Sequence, residues 1–290
     1  MLLDRTDMIN AILHLRPAAA GCAICLFVGS TAGAEDASRW DGDARSAVRL
    51  IAGSRPTAAG APIRAGIEIR LKQGWHTYWR YPGDAGVPPR FDFSGSQNAK
   101  TIDVLWPAPQ RLPEAGAVAI GYDRDVILPL IIVPQDRAKP VALRLKLDYA
   151  VCEKLCVPAE GHAELTLAAG PSSHDAALAA GEARVPKKMA LGEGRALAIR
   201  SVRREDAGAR ARIVVDVAVP PGVAVDLFAE GPTPDWALPL PMAIDGAGVG
   251  LKRFAFDLDG APPGAKYNGA LITFTAVAGE EAIEVATRLD

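Results

Sequence analysis

Two thiols, Cys152 and Cys156, stand with three residues between them in the segment Asp148-Tyr149-Ala150-Val151-Cys152-Glu153-Lys154-Leu155-Cys156-Val157-Pro158. A pair this close can form a disulfide and open again without dismantling a hydrophobic core, which thiol–disulfide exchange asks of a dithiol. Exchange needs a thiolate on one sulfur, access for a partner's sulfur, and a neighbouring thiol to resolve the mixed disulfide. Lys154 favours the thiolate by its charge, while Glu153 and Asp148 oppose it, so the acidity of the thiols is not fixed by these neighbours. The alternative is a staple that closes a turn. Closing so small a loop constrains the unfolded chain by only about 2 kcal/mol, and staples more often join strands distant in sequence. On spacing alone the two readings stand even.

Few other residues offer chemistry. His76 and His162 lie in the same half of the chain, and with two sulfurs they could make a soft site for copper(I) or zinc. Neither has ligand spacing to the cysteines, although His162 lies six residues after Cys156; both are expected to face solvent, and neither a metal site nor a cofactor is expected. Trp75, Tyr78, Trp79 and Tyr81, followed by Pro82-Gly83-Asp84-Ala85-Gly86, are expected to fill a core or a sheet-to-loop corner rather than a ligand surface, with some rings flanking the cysteine pair. The chain has no Gly-rich phosphate loop, no Ser/His/Asp arrangement and no paired-carboxylate signature, so hydrolase and nucleotide-binding chemistry has no support.

The compartment is read from the first 34 residues. They carry Arg5 and Arg16, an apolar run from Pro17 to Gly33, and Ala32-Gly33-Ala34 just before Glu35 and Asp36. That is the pattern of a bacterial secretory signal with a small-residue cleavage site. The apolar run is broken by glycines and falls below the ~20 residues needed to span a bilayer. A lipoprotein site at Cys22 is the weaker reading, because Ala19 stands where a leucine is preferred. Removing residues 1–34 takes Asp4, Asp7, Arg5 and Arg16 and leaves the net charge at −2, so nothing suggests nucleic-acid binding. No later segment approaches ~18 consecutive apolar residues. The mature chain is therefore expected to be free in the periplasm, with Cys152 and Cys156 as its only cysteines once Cys22 and Cys25 leave with the signal. An even count outside the cytosol favours a disulfide, and residues 35–290 are enough to build a core without one.

Period-2 alternation dominates the rest. It is cleanest at Ile67, Ile69, Leu71 and at Val141, Leu143, Leu145, Leu147, Tyr149, with further candidates over Ala47–Ala52, Thr101–Trp106, Val126–Val133 and Ala163–Leu167. Pro- and Gly-rich turns such as Tyr81–Pro89 separate them, which reads as an antiparallel sandwich. The cysteine pair falls where a clean strand ends and a turn begins, at a sheet edge. Alternation stops between Ala168 and Leu191, where Gly170-Pro171-Ser172-Ser173 leads into an Ala-rich stretch that could form a short helix. It resumes at Ile213, Val215, Val217, Val219, at Phe254, Phe256, Leu258 and at Ile272, Phe274, Ala276. The expected organisation is a signal peptide over 1–34, a first domain over 35–168, a linker over 169–191, and a second β-sandwich over 192–290 that contains neither cysteine nor histidine.

The segment Tyr149–Pro158, with Gly121-Tyr122-Asp123-Arg124-Asp125-Val126-Ile127-Leu128-Pro129 upstream, resembles the periplasmic N-terminal domain of the DsbD family, and more closely its ScsB-like members. Gly74-Trp75-His76-Thr77-Tyr78-Trp79-Arg80 falls where that family has an aromatic-rich strand. The resemblance covers roughly residues 45 to 168; the second half resembles the extra sandwich of ScsB-like proteins. It implies immunoglobulin-like sandwiches and a protein-disulfide reductase type of activity, taking electrons from a membrane-embedded transporter and passing them to periplasmic thiol–disulfide oxidoreductases. It further implies that Cys156 forms the mixed disulfide and Cys152 resolves it. The loop between the cysteines is shorter here than in the DsbD domain. The segment that caps the pair with an aromatic there would fall near Leu112 to Gly121, where this sequence has Ala115 and Gly116 and no ring. The membrane and thioredoxin-like parts of full-length DsbD are expected on a separate protein.

The reading is an all-β protein of two immunoglobulin-like antiparallel sandwiches, the first a thiol–disulfide exchange module through Cys152 and Cys156, the second a partner-binding or spacer domain. The rivals are a binding protein with a structural disulfide and a copper(I)-binding protein using the same sulfurs.

Overall fold

Apolar residues at every second position place one face of each long strand against a core. The computed structural model describes residues 35–54, 61–83, 86–114, 116–168, 170–194, 196–207 and 210–290; the expected signal peptide lies outside the described residues. In chain order the strands of the first sandwich are β1 (Asp41–Gly42), β2 (Ser46–Ala52), β3 (Ile63–Leu71), β4 (His76–Gly83), β5 (Arg90–Asp92), β6 (Ala99–Val104), β7 (Gln110–Glu114), β8 (Ala117–Tyr122), β9 (Val126–Pro134), β10 (Val141–Cys152) and β11 (Cys156–Leu167). A helix α1 (Asp175–Ala183) follows. The second sandwich has β12 (Lys187–Lys188), β13 (Ala198–Ala207), β14 (Arg210–Ala218), β15 (Asp226–Glu230), β16 (Met242–Ile244), β17 (Leu251–Asp257), β18 (Leu271–Ala278) and β19 (Glu281–Arg288).

The first sandwich stacks a sheet ordered β1-β2-β3-β9-β6 on one ordered β11-β10-β4-β8-β7, with β5 also pairing β10. The second stacks β12-β19-β18-β15 on β13-β14-β17-β16. Among the described residues every strand pairing is antiparallel except the short β12 against β19. The fold is all-β, as the alternation predicts. On β10, Val141, Leu143, Leu145, Leu147, Tyr149 and Val151 enter the first core, while Arg144, Lys146 and Asp148 between them are exposed. Opposite them lie Val48 and Leu50 of β2, Ile67 and Ile69 of β3, and Leu128 and Leu130 of β9. A second core gathers Ile213, Val215 and Val217 with Phe254, Phe256, Ile272 and Phe274.

The helix α1 packs on β9 with Leu178 fully buried. It is tied to the first sandwich through a bidentate Arg64–Glu182 pair at 2.7 and 2.6 Å and through Asp175 accepting from Ser54 N at 2.8 Å. Residues Ala34–Asp290 form one compact unit, and the two sandwiches meet directly. Phe228 and Leu240 of the second are part of the first core, with the Phe228 ring 6.0 Å from that of Trp79. Arg80 reaches across to Glu230 at 2.9 and 2.8 Å and to Glu284 at 2.5 Å. Tyr81 donates to the carbonyl of Leu238, and Arg111 donates to those of Leu227 and Pro241 at 3.1 and 2.6 Å.

Candidate functional site

The hairpin β10–β11 is paired without a break from Val141↔Leu167 to Cys152↔Cys156. The cysteines are thus the last cross-strand pair, and Glu153, Lys154 and Leu155 form the tip. They are joined as a disulfide with a Cα–Cα distance of 4.1 Å. Along β10 the burial pattern changes near this end: Tyr149, Ala150, Val151 and Cys152 are all buried. Tyr149 and Val151 continue into the main core, whereas Ala150 and Cys152 face the other way into a small cluster with Tyr78, Leu112 and Ala119. The cover comes from β4 and from the β7–β8 hairpin. Gly121 allows it to approach, since it lies opposite Tyr78 and a Cβ there would stand 2.0 Å from the Thr77 carbonyl oxygen. Thr77 in turn donates to the Ala150 carbonyl at 2.9 Å.

The two sulfurs differ sharply in access. Cys152 is 1% exposed, while Cys156 is exposed beside Leu155, which is 77% exposed. Glu114, at the end of β7, reaches both: its Oε1 lies 2.7 Å from Cys156 Sγ and 3.1 Å from Cys152 Sγ. A disulfide has no S–H to donate, so these are close contacts in the oxidised form; after reduction either thiol can donate to that oxygen. Tyr78 Oη donates to Glu114 Oε1 at 3.0 Å and lies 3.1 Å from Cys156 Sγ. Burial first, then the Glu114 hydrogen bond and charge, hold the Tyr78 phenol well above its usual range, so it stays a donor at any physiological pH. His76 completes the group, its Nε2 3.4 Å from Glu114 Oε2 and its ring edge-on to Tyr78 with centroids 5.6 Å apart.

Cys152 and Cys156 therefore come together as their spacing predicts. The aromatic cluster divides: Trp79 is fully buried in the core, Tyr81 reaches the second sandwich, Trp75 packs part-buried at the core edge, and Tyr78 is both buried and in contact with Cys156. His162 is exposed, beside Asp41 and Glu160. His76 is a correction to the expectation of a solvent-facing side chain. It is 8% exposed, because antiparallel pairing of β4 with β10 sets it opposite Cys152, a relation that sequence spacing does not display. Glu114 also escapes a reading by spacing; its signal is that Leu112–Gly121 holds no other ionisable residue. Where that segment lacks an aromatic cap, the Glu114 carboxylate and the Tyr78 hydroxyl from β4 touch the pair and leave Cys156 exposed. Ligand atoms of His76, Glu114 and Cys152 lie within 4.8 Å of one another.

Residues 48–168, from β2 to the end of β11, match the family described as the N-terminal part of thiol:disulfide interchange protein DsbD. The match contains both cysteines, His76, Tyr78 and Glu114. The solved structure of the N-terminal periplasmic domain of ScsB from Proteus mirabilis is similar in fold, with a TM-score of 0.68 at 19% identity over 88% of this chain and 98% of that one. That coverage takes the likeness through both sandwiches. No curated protein matches the chain by sequence.

Proposed function

Starting from residues 48–168 as a DsbD/ScsB-like N-terminal domain, a thiol–disulfide interchange domain, we propose that the chain relays reducing equivalents in the periplasm through Cys152 and Cys156. The observation that carries this reading is the asymmetry of the pair: one sulfur open to a partner, the other buried directly behind it. A staple has no use for such a difference, whereas exchange requires an accessible attacker and a protected resolver.

In the reducing direction, the reduced pair meets a partner disulfide. The Cys156 thiol gives its proton to water, the Cys156 thiolate attacks one partner sulfur, and the partner's S–S bond breaks to leave a thiolate that takes up a proton. Cys152, losing its own proton to Glu114 or to water, then attacks Cys156 Sγ and expels the second partner thiolate, which is protonated in turn. The sum is one dithiol oxidised to the Cys152–Cys156 disulfide and one partner disulfide reduced to a dithiol. Tyr78 holds Glu114 in place between the sulfurs. A membrane electron transporter of the DsbD/ScsB type regenerates the dithiol by the reverse sequence, and periplasmic thiol–disulfide oxidoreductases are the acceptors. The segment 1–34 delivers the chain by export; among the described residues no helix is long and apolar enough to cross a membrane. The second sandwich, from β12 to β19, carries no thiol and supports β4 and β7 from behind.

The test is the reduction potential of the pair, read by counting free thiols at equilibrium in thiol buffers. A value between roughly −180 and −270 mV, where exchange proteins work, is expected. A value below about −300 mV, typical of structural disulfides, leaves a binding protein with a staple. With a potential in the first range, Cys152→Ala traps a mixed disulfide through Cys156, whereas Cys156→Ala traps little because the remaining sulfur is buried.

A further inference from the structure

The exchange just described uses the two sulfurs, Glu114 and Tyr78, and leaves the buried His76 without a task. Its imidazole sits opposite Cys152 on the neighbouring strand, with Nε2 3.4 Å from Oε2 of the carboxylate whose Oε1 touches both sulfurs. One nitrogen and one carboxylate are thus brought beside two sulfurs by four strands, β4, β7, β10 and β11. We propose that the reduced form of this site binds one zinc ion, with His76, Glu114, Cys152 and Cys156 as the four ligands, and that formation of the disulfide expels it.

Zinc bonds of ~2.3 Å to sulfur and ~2.0–2.1 Å to nitrogen or oxygen put tetrahedral donors roughly 3.3–3.8 Å apart. The donor atoms of His76, Glu114 and Cys152 are within 4.8 Å of one another, so closing these three on an ion asks for shifts of about an ångström; Cys156 Sγ, 2.7 Å from Glu114 Oε1 and bonded to Cys152, turns in as the fourth donor once the disulfide opens. The disulfide holds the sulfurs too close to serve as separate donors; breaking it frees both. The donor set also selects the ion. Two thiolates with an imidazole and a carboxylate suit zinc, while a carboxylate is a poor ligand for soft copper(I). Tyr78, donating to Glu114, supplies the outer hydrogen bond that orients a metal-bound carboxylate. The exposed Cys156 gives the ion a way in.

The step balances without an added redox agent. The two thiols lose two protons as their sulfurs bind Zn²⁺, and no electrons move. When a partner disulfide oxidises the site, the two thiolates give up two electrons and join as the Cys152–Cys156 disulfide. The partner takes the electrons and two protons to become a dithiol, and Zn²⁺ departs. Bound zinc therefore protects the dithiol and slows its exchange.

The experiment titrates the mature protein, reduced with a water-soluble phosphine, against Zn²⁺ held by a chromophoric chelator. One ion per chain is expected for the reduced protein and none for the oxidised one, and His76→Ala and Glu114→Gln each weaken binding by at least the ~10-fold that loss of an outer-shell partner costs. Because a change at buried His76 can disturb folding, wild type is also loaded with Co²⁺. Intense visible d–d bands of a tetrahedral site, with charge-transfer absorption from two thiolates, are expected. No stoichiometric binding by the reduced protein overturns the proposal. So does binding that survives both substitutions undiminished, or an octahedral cobalt spectrum. The proposal rests on the pair being reducible, not on the relay: reduction by phosphine and metal titration are independent of the potential measurement, so either can fail alone.

Discussion

Cys156 meets solvent and Cys152 does not because the hairpin tip projects past the cover that β4 and β7–β8 place over the last rung of β10. That leaves the Glu114 carboxylate 2.7 Å from Cys156 Sγ, where its charge opposes a thiolate and, after reduction, its oxygen accepts from the thiol. Replacing it by Gln removes the charge and weakens the acceptor. Alkylation of the reduced Glu114→Gln protein by iodoacetamide is therefore expected to quicken by about threefold, because a like charge beside the attacking sulfur is gone. An unchanged rate separates Glu114 from the chemistry. The cysteines themselves were legible in the sequence because their pairing is local. Glu114 and His76 were not, because their distance to the sulfurs is set by strand register and by a hairpin folding over β10, relations that span many residues of chain.

At the scale of elements, burial explains which strands the alternation reveals. Strands β3, β9 and β10 show one buried face over most of their length and stand out; β4, with its first four residues all buried, and β8, buried over its last four, are covered on both sides and lose the period-2 signal. In the second sandwich the sheet β13-β14-β17-β16 is tied by Asp216 of β14. It accepts from Arg253 of β17 at 2.7 and 3.0 Å and from Arg203 of β13 at 2.9 Å. The hydrogen bonds from Arg253, then those from Arg203 working against burial, hold its carboxyl down at about 2. A carboxyl depressed on folding stabilises the protein above its unfolded pKa, and that stability is lost as pH falls through the folded value. Denaturant unfolding is thus expected to show roughly 2 kcal/mol lost between about pH 4 and pH 2 that the Asp216→Asn protein, already weaker at neutral pH, does not show.

The two sandwiches read in the sequence as separate blocks because each has its own alternating strands. Nothing in the period of Phe228 or Leu240 tells that they belong to the neighbouring core. What joins the blocks is long-range: Trp79 against Phe228, and Arg80 between Glu230 and Glu284. Burial disfavours the Arg80 charge, but the two carboxylates outweigh it and hold the guanidinium above its usual range. The unit Ala34–Asp290 is expected to melt in one calorimetric transition. Arg80→Ala leaves two carboxylates facing each other with no cation, costing about 3 kcal/mol as the loss of one partner of a buried pair does, and splits the endotherm in two. The same strand that carries Arg80 carries Tyr78 and His76, so loosening this joint reaches the cysteine site.

The inequality of the two sulfurs bears on traffic as well as on chemistry. With a single doorway at Cys156, donor and acceptor in the proposed relay must use the same threshold in turn, and no complex holding both can form. The protein then behaves as a turnstile that remembers, in the state of one bond, which visitor came last.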